Sequence, residues 1–133
     1  MKDLKVFIVD DDCFCRNIYK QQLTNMGFWD IYMFHNGEEC LKNIFMQPDI
    51  IVLDYNMAAI DGLEVVKIIK RSYPQIRMLM ISGQKEKQVA LDALRYGASA
   101  YISKDGKELD LLSVITNRIV TKQHLYTSMH FSL

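Results

Sequence analysis

Asp54 closes a short apolar run, Asp49-Ile50-Ile51-Val52-Leu53-Asp54, whose β-branched residues suit a buried strand too short to be a helix. A second run, Leu4-Lys5-Val6-Phe7-Ile8-Val9, ends in Asp10-Asp11-Asp12. If the two strands are neighbours, as many as four carboxylates meet at one mouth. Like charges gathered this closely call for a cation, and oxygen-only ligands at a solvent-accessible rim favour Mg²⁺ or Mn²⁺. Two further runs end in polar groups. Met78-Leu79-Met80-Ile81 leads to Ser82-Gly83-Gln84, and Ala100-Tyr101-Ile102-Ser103 leads to Lys104. Carboxylate, metal, hydroxyl and lysine together are what a phosphoryl group on an aspartate requires. Metal and lysine neutralise its oxygens, the hydroxyl binds another oxygen, and the carboxylate attacks in line. A carboxylate nucleophile needs no proton-transfer partner, which fits the lack of a nearby histidine.

These residues must be positioned by regular elements. Strands are expected over about 4–9, 30–34, 49–53, 76–81 and 99–102, and helices over about 13–26, 37–46, 61–73, 86–96 and 107–122. Strict alternation implies right-handed βαβ units, hence an α/β fold whose parallel sheet is covered on both faces. A single doubly wound five-stranded sheet of order 2-1-3-4-5 with five helices makes the first and third strands adjacent, bringing Asp10 and Asp11 beside Asp54. Asp12, Asn36 and Asp61 suit helix N-caps, while Gly27, Gly97 and the 72–74 stretch suit helix ends. Cys15, Ile18, Tyr19, Leu23 and Met26 make one buried helical stripe.

The chain has 133 residues, half apolar and a quarter charged, the size and balance of one globular domain. Sixteen basic and sixteen acidic residues cancel. That argues against a dedicated surface for nucleic acid or membrane, though not against local patches. No apolar run approaches the roughly 20 residues of a membrane span, and the first residues show no signal-peptide pattern. Cys13, Cys15 and Cys40 have neither zinc-site nor redox-motif spacing. Cys15 and Cys40 are expected to be buried, and a reduced, cytoplasmic protein follows. His35, His124 and His130 show no ligand or carboxylate-partner pattern and are expected at the surface.

Four motifs in order carry a resemblance: Val9-Asp10-Asp11-Asp12; Leu53-Asp54-Tyr55-Asn56-Met57 with Asp61-Gly62; Ile81-Ser82-Gly83; and Gly97-Ala98-Ser99-Ala100-Tyr101-Ile102-Ser103-Lys104. The chain resembles the receiver domain of two-component response regulators over about residues 3–122. The resemblance implies that Asp54 is the phospho-acceptor and that Mg²⁺ is held by the carboxylates of Asp11 and Asp54 and the backbone carbonyl of Asn56. Asp10 would act mostly through metal-bound water. Lys104 would pair with the phosphoryl group, and Ser82 and Tyr101 would form a switch pair. The donor would be a sensor histidine kinase or a His phosphotransfer protein. Two positions depart from the family pattern: Ala58-Ala59 and Asp105 stand where the family often has proline. Neither removes a reacting group.

Asn56 and Gln84 occupy the rim that attacking water must cross, implying a phosphoryl lifetime of minutes. In the last helix Leu109, Leu112, Ile115, Ile119 and Val120 face the sheet. Leu111 and Val114 lie off that stripe, packed on a neighbouring helix or exposed for a homodimer or output partner. Residues 1–122 read as the receiver domain and 123–133 as a tail or an extension of the last helix. Three other functions compete. A phosphorylation-independent interaction module would share the fold without the response to a phosphodonor. A metal-dependent phosphohydrolase would need a second acid/base group and a cap segment. A flavodoxin-like electron carrier would need a phosphate cradle where this chain has three aspartates.

Overall fold

The computed structural model describes residues 3–84 and 86–131, with side chains described to residue 122. Five strands alternate with five helices: β1 (Val6–Val9), α1 (Cys13–Asn25), β2 (Ile31–Phe34), α2 (Gly37–Lys42), β3 (Ile50–Asp54), α3 (Gly62–Ser72), β4 (Arg77–Ser82), α4 (Lys87–Arg95), β5 (Ala100–Ser103) and α5 (Glu108–Phe131). All strand pairs are parallel, in the order β2-β1-β3-β4-β5. This is the expected α/β fold.

Residues of alternating parity build two cores, as the two-residue period of a strand requires. Phe7, Val9, Ile51, Leu53, Met78 and Met80 pack with Cys40, Val65, Val66, Ile69 and Ala93 from α2, α3 and α4. Val6, Ile8, Ile50, Val52, Leu79 and Ile81 pack with Tyr19, Leu23, Leu112 and Val120 from α1 and α5. Each fully buried aliphatic side chain contributes about 1.5–3 kcal/mol. A sheet buried on both faces leaves its polar groups only at the strand ends.

Caps fix where three helices start. Asp12 accepts from the Phe14 N–H, Asn36 from the Glu39 N–H and Asp61 from the Glu64 N–H. By contrast, Glu86 precedes α4 without a side-chain capping bond, and α4 buries only Ala93. α4 is therefore weakly anchored.

Three local expectations change, and of the two readings left open after residue 122 the helix extension holds as far as Phe131. The helix expected over 37–46 ends at Lys42, and a 3₁₀ turn, Ile44–Met46, follows. There the Asn43 side chain donates back to the Glu39 carbonyl and Gln47 takes a left-handed conformation (φ 50°). These polar diversions break the ladder before Pro48 can. The last helix runs past 122 to Phe131, so the segment after 122 continues α5 as backbone. Cys40 is buried as expected, but Cys15 is only half-buried. Cys15 lies in the first turn of α1, at the edge of the core that it packs against. His35 lies on the surface but pairs through Nδ1 with Glu39 Oε2, one helical turn away. His124 and His130 lie outside the residues whose side chains are described.

Candidate functional site

Parallel register builds the site. Val9 is paired with Leu53, so the next residues, Asp10 and Asp54, emerge side by side from adjacent strands. Asp54 is itself paired with Ile81, which places Ser82 one step beyond it on β4. Ser82 pairs with Ser103, and the Lys104 N–H donates to the Ser82 carbonyl at 2.9 Å, extending that ladder by one residue. β5 lies two strand spacings from β3, about 9.5 Å. Only a long side chain spans that gap, and Lys104 does so, with Nζ 3.2 Å from Asp54 Oδ1 and 4.0 Å from Asp10 Oδ2.

Carboxylate oxygens of Asp10, Asp11 and Asp54 all lie within 4.8 Å of one another. Asp10 and Asp54 are buried, at 1% and 5% exposure, and Asp11 is exposed. Asp10 Oδ1 accepts from the Asp12 N–H at 2.9 Å, which leaves Oδ2 without a hydrogen bond. Asp54 Oδ1 likewise receives no well-directed hydrogen bond, and the Lys104 ammonium is its compensation. Two buried, unbonded carboxylate oxygens beside a third carboxylate are a hard-cation donor set. The residues present therefore fit Mg²⁺, or Mn²⁺ by the same chemistry.

The charges show the same tension. Burial is the largest influence on Asp10 and raises its pKa to about 6; Asp54 and Asp11 raise it further, while the Asp12 N–H and Lys104 oppose them. Burial also raises Asp54, against the pull of Lys104. Burial lowers Lys104, but the charges of Asp54 and Asp10 outweigh it, and the ammonium is held above its ordinary value. At neutral pH without a divalent cation, one ammonium faces a cluster of three carboxylates.

The remaining expected residues surround this cluster. Ser82 is fully buried, and its Oγ accepts from the Gln84 N–H at 3.0 Å. The Tyr101 hydroxyl donates to the Gln84 carbonyl at 2.8 Å, so Gln84, in the loop after β4, is held at both of its backbone polar groups. Gln84 Nε2 donates to Asn56 Oδ1 at 3.4 Å, a long bond that joins the two rim residues. The Asn56 N–H also lowers the Asp54 pKa by hydrogen bonding to it. A Cβ on Gly83 would meet nothing within 4 Å, leaving open space beside Ser82. Leu111 and Val114 are exposed, at 42% and 46%.

Sequence reasoning passed over two supports. Arg16 Nη1 donates to the Asp10 carbonyl at 2.6 Å and ties α1 to the acidic turn. An arginine one turn into a helix carries no pattern that would mark this role. Gly62 is legible in the sequence only as part of a motif. A Cβ there would stand 2.6 Å from the Asp54 carbonyl and 2.9 Å from the Tyr55 Cα, so α3 can approach the acceptor's backbone only through glycine. The Ala58-Ala59 departure has a structural counterpart, because Ala59 sits at φ 68°.

Comparison with known proteins agrees with this geometry. Residues 6–116 match the response regulator receiver domain family. The chain is 33% identical over 102 residues to the chemotaxis protein CheY of Listeria monocytogenes, covering 76% of this chain and 86% of that protein. It is 35% identical over 130 residues to a protein-glutamate methylesterase/protein-glutamine glutaminase of Methanococcoides burtonii, covering 94% of this chain. It spans only 36% of that enzyme's length, and 40% of the corresponding enzyme of Trichodesmium erythraeum. Among solved structures, the receiver domain of NtrX from Brucella abortus superposes with a TM-score of 0.80 at 27% identity, over 88% of this chain and 98% of that one. The receiver domain of NarL from Mycobacterium tuberculosis gives 0.75 at 26% identity, over 88% and 96%. By its sequence match, its strand order and the acidic mouth that order creates, this chain belongs to the response regulator receiver domain family.

Proposed function

We propose that Asp54 accepts a phosphoryl group from a phosphohistidine on a sensor histidine kinase or a His phosphotransfer protein, with Mg²⁺ at the carboxylate cluster. The observation that carries this reading is the buried Asp54 carboxylate, with one oxygen free of hydrogen bonds and an ammonium 3.2 Å away. Asp10, Asp11 and Asp54 would hold Mg²⁺ with the Asn56 backbone carbonyl, and the ion would offset negative charge on the phosphoryl oxygens. Lys104 would stabilise the transferring group from the other side, as charge clamps do in phosphoryl transfer. Ser82 would supply a hydroxyl donor, exchanging its present bond with the Gln84 N–H for one to a phosphoryl oxygen.

The mixed anhydride places new charge where Ser82 and Lys104 both contact it, and both shift toward it. Tyr101 feels that shift through the Gln84 carbonyl to which its hydroxyl is bound. α4 is the element most easily rearranged, having no capping bond and one buried side chain. Exposed apolar side chains on α4 (Leu91, Leu94) and on α5 (Leu111, Val114) offer surface through which a homodimer or output partner would read the state. Water resets the switch, so the chain acts on itself and not on an external substrate. Residues 1–122 form this receiver unit.

Intact-mass measurement after incubation with acetyl phosphate and Mg²⁺ tests the reading. The expected gain is about 80 Da, absent in Asp54→Asn and absent without Mg²⁺. No adduct under rapid sampling, together with no binding of beryllofluoride, would leave the fold as a phosphorylation-independent interaction module. Steady release of phosphate from a generic ester would favour a phosphohydrolase.

A further inference from the structure

The net charge of zero hides a polar arrangement. Asp10, Asp11 and Asp54 gather at the C-terminal ends of the strands. At the opposite end, where β4 and β5 begin, a cleft of about 330 Å³ is lined by Arg77, Ser99, Ile115, Arg118, Ile119 and Lys122. Helical spacing organises its α5 wall. Ile115 and Ile119 are one turn apart, as are Arg118 and Lys122, so an apolar strip runs beside a cationic one. Arg77 supplies a third cation from the sheet side.

None of these three cations is in an ion pair among the described residues: no carboxylate there lies within the 4.0 Å ion-pair distance of Arg77, Arg118 or Lys122. The field of Arg77 reaches its neighbour: burial first, and then the Arg77 charge, hold the Lys70 ammonium below its ordinary value. Lys70 is nonetheless tied down, donating to the Pro74 and Ile76 carbonyls, and so does not compete for a ligand. Two guanidiniums offer forked donors that match phosphate oxygens, and Lys122 adds a point charge. Ser99 adds a hydroxyl, and Ile115 and Ile119 offer an apolar wall. The volume lies at the small end of the about 300–1,000 Å³ typical of small-molecule sites.

The geometry points to a second, anion-binding site in this cleft that takes a small organic phosphate of the nucleoside monophosphate kind. The phosphate lies between Arg77, Arg118 and Lys122, and the ring system lies against Ile115 and Ile119. The site is independent of phosphoryl transfer at Asp54. A ligand there bridges β4, β5 and α5, so its occupancy bears on the C-terminal half of α5.

AMP titrated into the full chain, followed by amide NMR in EDTA, tests this, because without a divalent cation the acidic mouth repels phosphate. Saturable shifts are expected at Ser99, Ile115, Arg118 and Ile119. The Arg77→Gln/Arg118→Gln double variant should bind AMP about tenfold more weakly or worse. Its uptake of phosphoryl from acetyl phosphate should be unchanged. Adenosine and inorganic phosphate should each bind more weakly than AMP. The proposal is overturned by an absence of saturable shifts at millimolar AMP, or by undiminished affinity in the variant. Phosphate binding as tightly as AMP also overturns it, since the apolar wall would then be idle. Preference of the cleft for an acidic peptide or a DNA duplex over AMP would reassign it to a macromolecule. Should the double variant fail to fold, the wild-type titrations with AMP, adenosine and phosphate decide the question.

Discussion

Replacing Asp10 by asparagine should stabilise the metal-free protein, and by an amount that depends on pH. Asp10 is 1% exposed, and its carboxyl titrates at about 6 against 3.8 for the ordinary group. The folded-state value lies above the unfolded one, so the folded chain binds the proton more tightly. The group's contribution is therefore most favourable below about pH 4 and is lost as pH rises through about 6. The gap between 3.8 and about 6, at about 1.4 kcal/mol per pH unit, amounts to about 3 kcal/mol. Asparagine keeps an oxygen that can accept from the Asp12 N–H and carries no charge to desolvate. Urea unfolding in EDTA at about pH 4.5 and about pH 7.5 measures the effect. Asp10→Asn should exceed wild type by about 3 kcal/mol at the higher pH and by only about 1 kcal/mol at the lower. Saturating Mg²⁺ should raise wild-type stability and narrow the gap, because ligand binding to the folded state alone stabilises it. A difference that stays the same at both pH values would refute the electrostatic account, as would a wild-type protein indifferent to Mg²⁺.

Other expectations follow from single contacts. Gly62→Ala must push α3 away from the Asp54 and Tyr55 backbone; a loss of about 2 kcal/mol or more is expected in thermal unfolding, with slower phosphoryl uptake. Ala59→Gly should relieve the left-handed strain at φ 68° and stabilise by about 1 kcal/mol in the same assay, since the penalty for a non-glycine residue there is about 1–2 kcal/mol before the entropy of glycine offsets part of it. Tyr101→Phe removes the bond to the Gln84 carbonyl and should cost about 1 kcal/mol, with faster amide exchange in the loop after β4 as the readout. Substituting Gln84 by alanine opens the rim it shares with Asn56. The dephosphorylation rate, expected on a scale of minutes in wild type, should change while Mg²⁺ affinity does not; rates that match would remove Gln84 from control of the lifetime.

The sequence by itself determined the alternation of strands and helices, because two-residue and helical periods are written in apolar spacing and survive without tertiary context. It also determined which residue types end each strand. Buried strands leave chemistry only at their tips, so Asp10, Asp54, Ser82 and Lys104 were legible as a set. Capping was readable for the same local reason, as Asp12, Asn36 and Asp61 show. Tertiary structure decided the distances. Parallel register set Asp10 beside Asp54, and the two-strand gap made Lys104 the bridging residue. Contacts between elements were invisible beforehand: Arg16 on the Asp10 carbonyl, Gly62 against the Asp54 backbone, and Arg77 sharing a cleft with Arg118 and Lys122. Each depends on how one element packs against another. A contact between elements is set by packing angle and register, and no local pattern encodes either.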